Sequence, residues 1–362
     1  MEWSPQQEAA LKAVSLWLKR GEPQVFRLFG YAGTGKTTLA RTIADDSDGD
    51  VLFGAFTGKA ALVMRSKGCK DARTIHSLIY RAREGEGEEP VFELNEDGPA
   101  AKARLIIIDE CSMVDAELGR DLLSFGKPVL VLGDPAQLPP LKGGGFFTEG
   151  EPDAMLTEVH RQAADNPIIK LSMLIRAGGR LSAGRFGESR VVERDVINAE
   201  EVIKADQILV GLNRTRRAYN SRMRELLGHS RALPEAGDKL VCLKNDRKKG
   251  LLNGSLWTVN TASGIRRKKL RFTVVPEDDS SRKPLRIGVI PEFFSGVDDI
   301  PYALRKDSDE FDYGYALTVH KAQGSQWDKV VLFDESGAFR EHRNRWLYTG
   351  ITRAAERLTI VL

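Results

Sequence analysis

An α/β protein built on two parallel sheets is what this sequence predicts, and three observations carry the prediction. Short apolar runs alternate with stretches of helical periodicity, and a glycine-rich loop stands between one such run and one such helix. Residues 231–312 then break the alternation with short runs bounded by turn residues. The chain of 362 residues is long enough for about two to three domains, each with its own core.

The elements follow in order. Ser4 is a candidate N-cap, Pro5 suits a first helical turn, and Ala10, Leu11, Val14, Trp17 and Leu18 recur at helical spacing. Val25–Phe29 reads as a strand, the glycine-rich turn follows, and Thr38–Ala44 has helical character. Further strand candidates are Val51–Ala55, Leu105–Ile108 and Val129–Leu132. Between them, Arg83–Gly98 holds seven acidic residues and several turn formers around Val91–Leu94, which predicts a small hairpin-like insertion. A second α/β pattern begins near Leu156, has a strand at Gln207–Gly211 and a helix from Arg216 to Leu227, breaks off at Gly228 and resumes near Tyr313. The runs Lys239–Leu243, Ser255–Val259, Leu270–Val275 and Leu285–Ile290 lie between and suggest a small inserted β-barrel. The expected domains are therefore 1–81 with 104–155, a hairpin insertion at 82–103, a second α/β domain of 156–230 with 313–362, and a β insertion at 231–312.

Composition excludes several classes. Apolar residues are 41% and charged residues 29%, and no apolar run approaches the roughly 18 residues of a membrane span. The start Met1-Glu2-Trp3-Ser4-Pro5 lacks a basic segment followed by an apolar one, so a cytoplasmic address is expected. Cys69, Cys111 and Cys242 are odd in number and scattered, which argues against a disulfide framework or a zinc site and for buried thiols. The net charge of +3 names no partner, but residues 1–155 carry 18 basic and 24 acidic side chains against 36 and 27 in 156–362. A basic C-terminal half can form either a phosphate-tracking surface or an ordinary solvated face.

Gly30-Tyr31-Ala32-Gly33-Thr34-Gly35-Lys36-Thr37 satisfies G-x-x-x-x-G-K-[ST] between a strand and a helix, the context in which backbone N–H groups cradle phosphates. Lys36 reaches the terminal phosphates and the Thr37 hydroxyl can ligate Mg²⁺. Leu105–Ile108 ends in Asp109-Glu110: a carboxylate at a strand's end can hold the metal, and its neighbour can act as general base on water. Together these residues specify an enzyme that hydrolyses a nucleoside triphosphate. Gly133-Asp134-Pro135-Ala136-Gln137 reads either as a turn or as a loop whose Gln137 senses the γ-phosphate.

In order, Gly30–Thr38, Ala55–Ala61, Thr74–Ser77, Asp109-Glu110, Gly133–Pro140, Val159–Gln162, Leu317–Gln326 and Tyr348–Ala354 resemble the motifs of superfamily 1 helicases, most closely superfamily 1B, the RecD-like and Dda-like branch. The resemblance covers nearly the whole chain. It implies two RecA-like P-loop domains, with a pin-like hairpin in the first and an SH3-like β-barrel in the second. It also implies ATP and Mg²⁺ in a cleft, with Gly33, Thr34, Gly35, Lys36, Thr37 and Thr38 on the nucleotide, Thr37 and Asp109 on the metal, and Glu110 and Gln137 beside the γ-phosphate. Arg161 and Arg353 match the family's two arginine fingers. Gln7 matches its adenine-contacting glutamine, although Ser4-x-x-Gln7 is also a capping box, and Gln326 falls near the nucleotide. Phe56, Thr57, Lys59, Thr74, His76, Asn213, Asn253, Thr318, His320 and Lys321 match positions that line single-stranded DNA, with hydroxyls and cations suited to phosphate and rings suited to bases. His76 and His320 are equally readable as structural histidines, and Asn253-Gly254 as a tight turn. The runs Arg247–Lys249 and Arg266–Lys269 read as solvated hairpin tips or DNA contacts.

The implied activity is an ATP-dependent 5′→3′ DNA helicase acting on single strands and junctions as a monomer, with single-strand-binding or replication and repair proteins as further partners. The insertion is short and acidic, with Phe92 as the candidate wedge, so the alternative is a translocase that strips proteins and separates strands weakly or with a partner. The chain ends soon after the last motif, which gives the expectation of a compact motor core.

Overall fold

The computed structural model describes residues 3–83, 91–140, 145–158, 165–246, 248–277, 282–297 and 299–362. The chain divides into two compact units, one of 1–84, 90–180 and 341–352, the other of 85–89, 181–340 and 353–362.

The first unit is a six-stranded sheet in the order Arg73–Thr74, Val51–Ala55, Leu105–Asp109, Val129–Gly133, Val25–Gly30 and Ala154–Leu156. Every neighbouring pair is parallel. Parallel strands need crossovers, and those crossovers cover both faces, so the strands are apolar on both sides. Leu105 and Ile107 join one core with Ala10, Val14 and Trp17 of the Pro5–Arg20 helix and with Leu39 and Ile43 of the Lys36–Asp45 helix. Ile106 and Ile108 join the other, with Ile75, Leu78, Leu118 and Leu122. The first helix starts as its sequence dictates: the Gln7 N–H donates to Ser4 Oγ and the Ser4 N–H to Gln7 Oε1, closing a capping box. Tyr80–Arg83 and Val91–Leu94 form a two-stranded antiparallel pair, with Arg81 and Glu93 joined by an ion pair of 2.7 Å.

The second unit holds two sheets. One runs Ala316–Thr318, Gln207–Val210, Trp327–Phe333, Ala354–Val361, Ser189–Val192, Gly184–Phe186 and is parallel except at its last pair. The other is wholly antiparallel, in the order Leu285–Val289, Lys269–Pro276, Leu256–Arg266, Lys239–Cys242, Phe311–Tyr313. Four of these strands lie within residues 231–312, and the fifth runs past the expected end of that segment. Phe311–Tyr313 pairs with Lys239–Cys242, and the parallel sheet resumes only at Ala316.

The expected boundary at 155/156 cuts a strand of the first sheet, and two helices assigned from the sequence pattern to the second α/β domain belong to the first unit. Ala154–Leu156 is an edge strand of the first sheet, held where the Tyr31 N–H donates to the Leu156 carbonyl. The helices Pro167–Arg176 and Arg343–Ile351 pack on each other within the first unit. Trp346 and Leu347 are buried there, and periodicity cannot say which partner a helix packs on.

One buried polar cluster fastens the two sheets of the second unit. Arg224, from the Asn213–Leu226 helix, donates through Nε and Nη2 to both oxygens of Asp238 at 2.8 and 3.0 Å. The Tyr315 hydroxyl and the Glu235 N–H donate to the same carboxylate, which is fully buried. Removing one partner of such a pair strands a buried charge. Asp238→Ala is therefore expected to cost about 3–5 kcal/mol, read as a lower urea midpoint, whereas Glu225→Ala at the exposed Arg222 pair leaves the midpoint unchanged.

Candidate nucleotide and nucleic-acid site

The glycine-rich loop occupies the carboxyl end of strand Val25–Gly30, and the Lys36–Asp45 helix begins directly after it. Gly35 caps that helix at φ 81°, a left-handed conformation that glycine adopts without strain, and offers no side-chain cap. The first helical N–H groups are left for an anion. Gly30 is demanded by space: a Cβ there would lie 2.6 Å from Thr34 Oγ1 and 2.8 Å from Leu156 Cβ. Lys36 Nζ donates to the carbonyls of Gly30 and Tyr31 at 2.6 and 3.0 Å, so it is folded back over the loop.

Asp109 ends the neighbouring-but-one strand, and its Oδ2 accepts from the Thr37 hydroxyl at 3.2 Å. A hydroxyl beside one carboxylate fits Mg²⁺, which keeps several waters and needs few protein ligands. No group of three or more His, Cys, Asp and Glu suited to a metal occurs among the described residues. Glu110 follows at φ 53°, ψ 42°, left-handed without being glycine. Such a conformation costs about 1–2 kcal/mol.

Gln137 is 7% exposed, and its Oε1 has no hydrogen-bond partner among the described residues. An orphaned buried acceptor beside a phosphate loop fits an incoming polar group. Beneath, Cys111 is fully buried, and burial next to Asp109 pushes its thiol far up; burial likewise pushes Cys69 up to about 11. Both thiols stay protonated and inert at neutral pH.

Gln7 closes the capping box through Oε1, and its Nε2 donates to the Thr34 carbonyl of the phosphate loop at 3.1 Å. Gly33 also lies left-handed, at φ 79°, and Thr38 accepts from the Thr42 hydroxyl through its carbonyl. Arg161 lies outside the described residues.

Phe56, Thr57, Thr74 and His76 gather at the carboxyl ends of the paired strands Val51–Ala55 and Arg73–Thr74, where Ala55 faces Thr74. The His76 ring lies 6.5 Å from that of Phe56 and 5.5 Å from that of Tyr80, whose hydroxyl donates to Asp121. Thr57 Oγ1 caps the Gly58–Ser66 helix by accepting from the Ala60 N–H, and half-buried Lys59 lies in its first turn.

In the second unit, Arg353 is 6% exposed and donates to the Ser325 carbonyl at 3.2 Å, and Gln326 beside it is exposed, with Nε2 3.5 Å from the Ala354 carbonyl. Thr318 is buried and accepts from the Lys321 N–H; His320 lies 5.4 Å from the Phe339 ring, and Lys321 is exposed. Asn213 is exposed at the start of its helix, just after Gly211 and Leu212, whose N–H groups donate to Glu335 Oε2. Asn253 is exposed in a turn closed by the Ser255 N–H on the Leu252 carbonyl, with Gly254 at φ 85°, the tight-turn reading. Phe92 is 59% exposed.

Sequence reasoning missed three groups around the phosphate loop. Tyr348 donates to Asp134 and accepts from the Ala32 N–H. The Arg176 guanidinium lies 3.5 Å above the Tyr31 ring. No spacing rule connects positions so far apart in the chain; the only signal was that Tyr348 and Asp134 fall inside recognised motifs.

Residues 2–193 match the family described as "AAA domain", and residues 313–361 match that described as "UvrD-like helicase C-terminal domain". The chain is similar to the ATP-dependent RecD2 DNA helicase of Deinococcus radiodurans, at 31% identity over 363 residues, covering 91% of this chain and 46% of that protein. It is similar to the ATP-dependent DNA helicase Dda of Enterobacteria phage T4, at 35% identity over 164 residues, covering 41% and 37% of the two chains. It spans less than half the length of either. The fold is shared with Bacteroides Pif1 bound to single-stranded DNA, at TM-score 0.61 and 18% identity over 99% of this chain and 92% of that one. Among the described residues, no helix is long and apolar enough to cross a membrane.

Desolvation between its neighbouring rings holds His76 below the ordinary 6.5, against a smaller opposing pull from Asp115. Between that value and its lowered midpoint the unfolded chain binds a proton that the folded chain does not. Stability is therefore expected to fall as pH drops through this window, and His76→Phe removes that part of the slope. The C2–H resonance of His76 checks it: a midpoint at or above 6.5 would contradict the packing.

Proposed function

This chain belongs to the AAA-domain family, in the RecD-like and Pif1-like superfamily 1B of helicases, and from that membership we propose that it is an ATP-driven motor moving 5′→3′ on single-stranded DNA and separating duplexes ahead of it. The observation that carries the reading is the convergence of Lys36, Thr37, Asp109, Glu110 and Gln137 at the carboxyl edge of one parallel sheet.

In this reading the loop N–H groups and Lys36 bind the β- and γ-phosphates of the substrate ATP, displacing the ammonium from the Gly30 and Tyr31 carbonyls that it now contacts. Glu110 accepts a proton from the water that attacks the γ-phosphorus as the bond to ADP breaks, and Gln137 orients that water or the γ-phosphate. Thr37 and Asp109 would hold Mg²⁺, which when bound neutralises phosphate charge. Arg161 and Arg353 stabilise charge that develops on the transferred group, and Gln7 and Gln326 serve the rest of the nucleotide.

Single-stranded DNA runs over Phe56, Thr57, Lys59, Thr74 and His76 in the first unit. In the second it meets Asn213, Asn253, Thr318, His320 and Lys321. The ring cluster Phe56–His76–Tyr80 supports base stacking, worth about 1–3 kcal/mol per base, and the lowered His76 pKa makes it a neutral stacking ring rather than a cation. The antiparallel sheet of the second unit is read as the SH3-like insertion and the Tyr80–Leu94 pair as the pin, with exposed Phe92 as its wedge. A second reading, translocation with weak or partner-assisted separation, is favoured by the acidic residues beside that wedge.

Two experiments test this. Lys36→Ala is expected to cut ATP turnover at least about 100-fold in a protein that still unfolds cooperatively; retained turnover would refute the site. Strand displacement on duplexes with a 5′ or a 3′ single-stranded tail is expected only for the 5′ tail. Turnover stimulated by both tails without displacement would favour the translocase, and displacement from the 3′ tail would refute the polarity.

A further inference from the structure

The loop that carries Gln137 is held on both flanks by consecutive residues of one helix. On its leading side, the Ala32 N–H of the phosphate loop donates to Tyr348 Oη at 3.0 Å, and the Tyr348 hydroxyl donates to Asp134 Oδ2 at 2.6 Å. Asp134 Oδ1 accepts from the Ala136 N–H and its carbonyl from the Gln137 N–H. On the trailing side, the Leu138 N–H donates to Thr349 Oγ1 at 2.9 Å. Asp134, Leu138, Tyr348 and Thr349 are each at most 2% exposed, so water does not compete for these bonds.

We propose that Tyr348 and Thr349 are positioning residues for ATP hydrolysis, setting Gln137 at a fixed distance from the phosphate loop; this rests on the reading of Gln137 given above. A Tyr hydroxyl can donate once and accept once at this geometry, and here it does both, joining two loops through one rigid ring. Burial and the adjacent Asp134 raise its pKa well above the ordinary value, so it stays a donor across the working pH range. The Gln137 side chain meanwhile keeps Oε1 without a partner among the described residues, which leaves its placement to the backbone that these bonds pin.

The same helix ends at Ile351, two residues before Arg353. Tyr31, next to Ala32, is itself covered by Arg176, whose helix packs on the one bearing Tyr348. The phosphate loop is thereby steadied on two adjacent residues.

A role confined to packing would lower stability and leave the chemistry additive; a positioning role acts through Gln137 and so cannot be additive with its loss. The test is steady-state ATP turnover on a single-stranded oligonucleotide for Tyr348→Phe, Gln137→Ala and the double variant. Tyr348→Phe is expected to lower kcat about tenfold with KM for ATP changed less than about threefold. The double variant is expected to be no slower than Gln137→Ala alone. Thr349→Val is expected to behave like Tyr348→Phe, and Thr349→Ser, which keeps the acceptor, to restore kcat. It supplies the answer should Tyr348→Phe unfold. Equal losses from Tyr348→Phe in both backgrounds, or an effect on KM alone, would overturn the positioning role while leaving the hydrolytic site intact. Undiminished turnover in Gln137→Ala would overturn both.

Discussion

A parallel sheet delivers every strand's carboxyl end to the same edge, and the chemistry of the first unit depends on that constraint. The glycine-rich loop, the Asp109-Glu110 pair and the Gln137 loop each follow a different strand, yet Val25–Gly30, Val129–Gly133 and Leu105–Asp109 are neighbours in one sheet. Parallel pairing alone therefore puts them within reach of one triphosphate. Strands buried on both faces hold this edge rigid, since sliding any of them would bring side chains such as Ile107 and Ile108 out of their opposite cores.

The edge is held away from its resting preferences. Glu110 sits left-handed, Gln137 carries an orphaned oxygen, and Lys36 spends its ammonium on loop carbonyls. Strain and unmet hydrogen bonds concentrate where a ligand can relieve them. The capping box, the Asp238 cluster and the fully buried hydrophobic strands show the opposite character, each group satisfied within the protein. The contrast separates what holds the molecule together from what it uses.

Much of this was legible before any coordinates, for a physical reason. Phosphate binding demands particular residues at short spacing, so Gly30–Thr37 and Asp109-Glu110 announce themselves locally, as do strands such as Leu105–Ile108 and the Ser4/Gln7 cap. What resisted reading is set by distance along the chain. Tyr348 meets Ala32 across 316 positions, and nothing in the periodicity of Arg343–Ile351 names Pro167–Arg176 as the helix that it packs on. The domain edges failed for the same reason: Ala154–Leu156 and Phe311–Tyr313 are short apolar stretches whose partners, not their compositions, decide where they belong. Asn253 carried two readings because an Asn-Gly pair suits a turn whether or not it also touches a ligand.

The first unit takes back residues 341–352 after 181–340 have gone to the second. During synthesis its six-stranded sheet is complete once Leu156 has emerged, but Asp134 and the Leu138 N–H meet their helical partners only when Tyr348 and Thr349 arrive. Until then the Asp134 carboxylate lacks the Tyr348 hydroxyl and the Leu138 N–H lacks Thr349 Oγ1. The ribosome thus presents a finished parallel sheet well before the clasp on the Gln137 loop has been synthesised, an order of events that follows from topology.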